Sequence, residues 1–264
     1  MAIDYIIDYN CPPKEELGTR NIIERMKGQE RANTIIRLFR EKGDERPPSE
    51  MGFEFTRSTP SGEEETRLVV VQDLLDDAED LKPLQHHCTD CPANHTQRPF
   101  GCMNFIQYPL SKVAETWMLD RLPVPDDALI FLLFRRGIEE FEYDGSSVLP
   151  LRNSGEIYFE GFATTRRLGE FTVDANQVFE MLFAVGNIIP NHSALLLLFL
   201  NAISRDMEAD QIMHIAPSTP EITGKYPFLL QITGEDDKTV AEIKDFLKAL
   251  YIAWSLNIKV ILDV

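Results

Sequence analysis

Two stretches of this 264-residue chain, residues 178–185 and 194–203, carry almost no polar side chain on any helical face. Asp174 with Gln177 forms a capping-box pattern ahead of the first, and Asn191 precedes the second, so both read as helices. A helix that is apolar all round must be covered on several sides. That leaves two arrangements, the centre of the chain's own core or a subunit interface in a homodimer, and the core is the expected one. The run 194–200 is far shorter than the roughly 20 residues that span a bilayer, so no membrane insertion is expected.

The other elements follow from periodicity. Ile22, Ile23, Met26, Ile35, Ile36 and Phe39 recur at helical spacing up to Gly43, with Gly28 read as a break between two helices. From Gly52 the period changes to alternation. Phe53 and Phe55, then residues 68–71 after Thr59-Pro60-Ser61-Gly62, predict a hairpin, with the acidic run at 63–65 solvating its loop. A short helix is expected over 73–81. Ser111 caps a helix through Arg121, Pro123 and Pro125 separate it from a helix carrying Leu129, Ile130, Leu133 and Phe134, and residues 147–171 look strand-like.

Towards the end, a strand over 228–232, the turn Gly234-Glu235-Asp236-Asp237, a helix and a strand over 258–262 make a β-α-β-like unit. Thr239 and Glu242 are read as the capping box of that helix, and Val240, Ile243, Leu247, Leu250 and Trp254 as its buried face. The turn lacks the glycines of a phosphate-binding loop, so no nucleotide is expected there. The fold class is α+β, mostly helical with small sheets. One lobe, 1–122, holds the hairpin and a metal-stapled loop; a second, 123–264, is helical and ends in β-α-β; the alternative is one continuous domain.

With 43 acidic against 26 basic residues, the chain carries a net charge of −17, which repels a phosphate backbone. The pairs Arg135-Arg136 and Arg166-Arg167 are too short to make a basic stripe, and general nucleic-acid binding is not expected. The first residues, Met-Ala-Ile-Asp-Tyr-Ile-Ile-Asp, have no basic or apolar leader region, which predicts a cytoplasmic protein and makes the sequons at Asn94 and Asn191 accidental.

The chemically specific feature is a set of four cysteines. Cys88 and Cys91 are separated by two residues, Cys102 follows after ten more, and Cys11 lies far upstream. Two thiolates at that spacing can turn back towards one ion. Between Cys88 and Cys102 only Ala93 and Phe100 are apolar, while Pro92, Pro99 and Gly101 oppose regular structure. Such a segment cannot order itself by burial, and a bound metal would clamp it. Cys11, Cys88, Cys91 and Cys102 are the expected ligands; His86, His87 or His95 is the alternative to Cys11, and Lys82 and Arg98 are nearby cations for the sulfurs.

Zn²⁺ is the expected metal and a 4Fe-4S cluster the alternative. One distant cysteine followed by a clustered trio is similar to the cysteine spacing of iron-sulfur-clamped nucleases of recombination and CRISPR systems. In those proteins the catalytic Glu-x-Lys pair lies on a strand, whereas Glu242-Ile243-Lys244 falls in an amphipathic helix, so their activity is not implied. A thioredoxin-like role is disfavoured, because Cys88-Thr89-Asp90-Cys91 runs straight into Pro92 where such a pair begins a helix.

No nucleophile elbow, zincin, Walker, dinucleotide-binding or EF-hand motif is present, and no catalytic residue is assigned. His192 and His214 lie beside apolar sequence and read as core histidines, and Asp263 closes the last strand. The expected function is that of a non-enzymatic interaction or regulatory protein with a structural zinc site and an unidentified protein partner. The alternatives are an iron-sulfur protein in electron transfer or redox sensing, and an enzyme with a cleft that sequence does not reveal.

Overall fold

The computed structural model describes residues 2–58, 64–155 and 157–263. In chain order the elements are β1 (Ala2–Ile7), α1 (Pro12–Leu17), α2 (Thr19–Glu41), β2 (Gly52–Ser58), β3 (Glu64–Val70), α3 (Val71–Glu79), β4 (Met103–Gln107), α4 (Lys112–Arg121), α5 (Ala128–Glu140) and α6 (Leu149–Asn153). There follow β5 (Thr165–Leu168), β6 (Phe171–Asp174), α7 (Ala175–Phe183), β7 (Asn187–Ile188), α8 (Pro190–Phe199), α9 (Ala209–Met213), α10 (Pro220–Lys225), α11 (Lys238–Ser255) and β8 (Val260–Asp263). The protein is α+β, with its strands in small antiparallel sheets.

The chain forms two compact units, and their division is not the one expected at residue 122. The first takes the residues up to Tyr9, Pro92–Gln97 and everything from Gly101; the second takes Asn10–Cys91 and Arg98–Phe100. The physical reason is strand pairing. β1 pairs with both β4 and β8, which draws the start of the chain into the same sheet as its last strand.

In the first unit the sheet order is β4-β1-β8-β7. α11 packs on this sheet and on α8, with Val240, Ile243, Phe246, Leu247, Leu250 and Trp254 all buried. Tyr5 of β1 meets Phe246 edge-on with ring centroids 5.1 Å apart, and the Trp254 indole N–H donates to the Ile215 carbonyl at 2.8 Å. α7 buries all but one of its residues inside this unit, and α8 buries Ser193, Ala194 and Leu196–Phe199, as expected of helices apolar nearly all round. The feature that raised the homodimer alternative is therefore core.

Capping explains several boundaries. Ser111 accepts the Ala114 N–H at the start of α4, and Asp174 with Gln177 completes a reciprocal capping box on α7. For α11 the cap is Asp237, whose carboxylate accepts the Val240 N–H at 2.8 Å, and not the expected Thr239 and Glu242. Glu242 instead accepts the Gln107 N–H on the outer side of β4, where Asn104 likewise takes the Phe105 N–H. Residues 228–232 form no strand, because both sides of β8 are already occupied by β1 and β7. Residues 147–171 likewise become α6, an irregular loop and the short β5, with Ile157 exposed.

The second unit is α1, α2, the β2–β3 hairpin and α3. The turn expected at Thr59-Pro60-Ser61-Gly62, with Glu63, lies outside the described residues. Ala32, Met51 and Val71 form its buried cluster, flanked by Ile35, Ile36, Phe39, Phe53, Leu74 and Leu75. α2 runs unbroken through Gly28, contrary to the expected break, because α3 brings Leu74 against it. A Cβ at residue 28 would meet Leu74 Cδ2 at 3.6 Å, an ordinary contact. Gly28→Ala is therefore expected to stabilise this unit by about 0.5–1 kcal/mol, from the lower backbone entropy of alanine in a helix interior. Urea unfolding followed by helix circular dichroism checks this, and a loss of stability would show that the helix needs glycine there.

Candidate metal centre

The cysteine site begins at a helix start. Cys11 is the N-cap of α1 in extended conformation, and its carbonyl accepts the Lys14 and Glu15 N–H groups. Pro12 and Pro13 occupy the first turn, where a missing N–H costs nothing and a fixed φ favours the helix. α1 packs against a 3-10 helix, Lys82–Cys88, that buries Leu84 and Cys88 and leaves His86 and His87 in solvent. A turn then carries the chain from Cys88 to Cys91, whose N–H donates to the Cys88 carbonyl at 3.5 Å.

Cys88 is the centre of this arrangement. Its side chain is buried, and its sulfur accepts the backbone N–H of Phe100 at 3.2 Å. Phe100 has φ +59, a left-handed conformation uncommon outside glycine, and in it the amide is aimed at the sulfur. Burial pushes the Cys88 thiol above its ordinary value and the Phe100 N–H pulls it back; the neighbouring Cys91 and Cys11 push it up further. Three of the four expected ligands thus share one electrostatic neighbourhood in the second unit. All four cysteines are thiols and none is in a disulfide.

Cys102 belongs to the first unit, immediately before β4, where it is buried and its carbonyl accepts the Ile7 N–H at 2.9 Å. His95 also belongs to the first unit. It is 1% exposed, its ring centroid lies 5.7 Å from that of Tyr5, and its Nε2 is 3.4 Å from the Tyr5 hydroxyl. His86 Nδ1 is 2.8 Å from the Pro83 carbonyl and its ring stacks on that of His87 at 3.9 Å. Lys82, expected as a counter-charge to the sulfurs, is instead ion-paired with Glu79.

Among the described residues, no three or more His, Cys, Asp or Glu side chains stand in a geometry that would hold an ion as placed. Each cysteine sulfur turns about χ1 and can take staggered positions other than the one observed. Three soft sulfur donors, one of them already bonded to a backbone amide, fit zinc or an iron-sulfur cluster and do not fit the hard cations that prefer oxygen.

The chain matches no protein-family model, no curated protein and no solved structure.

Of the histidines expected in the core, His192 is partly buried and His214 is not buried. His192 is half-buried in α8 and its pKa is lowered by that burial. His214 is exposed at the end of α9 and bonded to the Asp210 carbonyl. Asp263 ends β8 in register with Asp4. Glu242 and Lys244 lie in α11, as the sequence indicates; Glu242 holds the Gln107 amide, and Lys244 is buried against Asp236 with Nζ–O distances of 2.6 and 2.7 Å. Among the described residues no helix is long and apolar enough to cross a membrane. The Phe100 amide was missed from sequence, since a left-handed phenylalanine between a proline and a glycine carries no recognised motif.

Proposed function

We propose that the protein is a non-enzymatic interaction or regulatory protein whose second unit is stapled by a structural zinc ion on the thiolates of Cys11, Cys88 and Cys91. The observation that carries this reading is the setting of Cys88, a buried sulfur that accepts a backbone N–H and lies within electrostatic reach of two further thiols. Amide donors to sulfur are the usual outer-shell support of metal-bound thiolates. When bound, the ion supplies no reaction. It ties the first turn of α1 to the end of the 3-10 helix and to the turn at Cys91.

The small size of the second unit gives such a staple a purpose. A small cluster around Ala32, Met51 and Val71 packs the long helix α2 and the two-stranded hairpin. Small cores of this kind commonly gain their margin from a metal, and structural zinc contributes about 10–16 kcal/mol of apparent binding free energy in small domains. The interaction role is supported in the first unit. There Phe162 is 91% exposed and Ile157 74% exposed, on a loop fixed by Arg152 bonding the Gly161 carbonyl and by the Lys112 N–H bonding Glu160. Exposed apolar side chains on a fixed loop suit contact with another protein.

Elemental analysis and visible absorption on tag-free protein purified without oxygen test the metal. About one zinc per chain and no colour is the expected result. Iron with sulfide would replace zinc by the cluster. Cys91→Ser is expected to lose the metal and to open residues 88–102 to protease while the helix signal persists; unchanged metal content and protease resistance would overturn the reading. Cys102→Ser, carried in parallel, reports whether the fourth cysteine takes part.

A further inference from the structure

Cys88 and Cys91 have a second chemistry open to them. They are the first and last residues of a turn closed by the Cys91 N–H on the Cys88 carbonyl, at 3.5 Å. A turn of that kind holds its end Cα atoms within about 7 Å. A disulfide asks for about 4.4–6.8 Å, so the backbone already brings the two residues to the required range. The sulfurs are unequally placed. Cys91 is partly exposed, whereas Cys88 is 8% exposed and held by the Phe100 amide. A small polar oxidant therefore meets Cys91 first, with Cys88 fixed behind it.

We propose that Cys91 is a site of oxidation by hydrogen peroxide and that Cys88 resolves the product to a Cys88–Cys91 disulfide. In the first step the Cys91 sulfur attacks one peroxide oxygen; an S–O bond forms, the O–O bond breaks and the leaving oxygen departs as water with a thiol proton. In the second the Cys88 sulfur attacks the Cys91 sulfur; the S–S bond forms, the S–O bond breaks and a second water leaves with the other proton. Two electrons pass from the two thiols to the peroxide, and an external dithiol reverses the change. The disulfide stands independently of any metal. The consequence for the metal rests on the zinc reading above: two of its three sulfurs are withdrawn, and the ion is released.

The test treats reduced, metal-stripped full-length protein with a small excess of hydrogen peroxide and maps its peptides by mass. The expected result is loss of two hydrogens in the peptide containing residues 88–91, restored by dithiothreitol. In Cys88→Ser the oxidation is expected to stop at a Cys91 sulfenic acid, trapped by dimedone. In zinc-loaded protein, about one zinc per disulfide is expected to appear in a chromogenic chelator assay. Both thiols still open to alkylation, a Cys91–Cys11 linkage, or direct passage to sulfinic acid would each overturn the proposal. A chain that never takes up zinc yet forms the Cys88–Cys91 disulfide leaves this proposal standing and removes the metal reading. A chain that binds zinc but, once stripped of it, keeps both thiols open to alkylation under peroxide does the reverse.

Discussion

Arg152→Ala is expected to destabilise the first unit by about 3–5 kcal/mol, the usual cost of leaving one member of a buried ion pair without the other. Glu115 and Arg152 have side chains only 2% and 7% exposed, with Nη2 and Oε1 2.5 Å apart. The guanidinium also donates to Asn176 Oδ1 at 2.7 Å and to the Gly161 carbonyl at 2.8 Å, and lies 4.0 Å above the Phe159 ring. The other carboxylate oxygen of Glu115 accepts the N–H and hydroxyl of Thr164, both at 3.0 Å. Truncation leaves a buried carboxylate short of its main counter-charge and two further acceptors without their donor. Arg152→Lys keeps the charge but loses the planar fork, and is expected to fall between alanine and wild type. Glu115→Gln combined with Arg152→Ala is expected to cost less than the sum of the single changes. Urea unfolding measures each variant, and a loss below about 1 kcal/mol for Arg152→Ala would mean that the pair adds little beyond a surface contact.

The second large effect is set by pH. Burial lowers the pKa of His95 to about 4, with the nearby Lys248 charge acting in the same direction and the Gly101 carbonyl opposing both. An exposed histidine in the unfolded chain titrates near 6.5. Between these values the unfolded chain binds a proton that the folded one refuses, so the contribution is intact above about pH 6.5 and falls away as pH drops towards 4. The difference corresponds to about 3 kcal/mol across the window. Other groups also titrate there, so the measurement is the unfolding free energy of wild type against His95→Gln at pH 7 and at pH 4. Wild type should lose about 3 kcal/mol more than the variant over that range. Equal losses would mean that the imidazole is protonated in place.

Local signals in the sequence marked many elements, and partners far along the chain decided the rest. The Ser111 cap, the Asp174–Gln177 box and the alternation around Phe53 and Phe55 each encode their element within a few residues, and each is found in the structure. Gly28 and residues 228–232 were misread because their state depends on contacts made elsewhere. Gly28 stays helical where Leu74 packs against it, and the extended sequence before α11 cannot pair with β8, which already has β1 and β7 on its two sides. The same division holds at the cysteines. Spacing along the chain marked Cys88 and Cys91 as a pair, while the packing of α1 on the 3-10 helix is what brings the start of α1 to that region. Spacing held no sign that Phe100 would turn its amide onto a sulfur, or that His95 would be buried beside Tyr5.

The middle of the four-stranded sheet joins β1, Ala2–Ile7, to β8, Val260–Asp263. β1 leaves the ribosome long before β8, so the central ladder cannot zip until everything between the two strands has been made. Until then β1 can pair with β4, but Ile3, Tyr5 and Ile7 have neither β8 beside them nor α11 to cover them. Residues 10–91, which draw mainly on neighbours close in sequence, are free to collapse while the chain is still growing. The nascent protein thus carries a folded insert ahead of an unfinished sheet, and that waiting apolar strand is where a chaperone would find it.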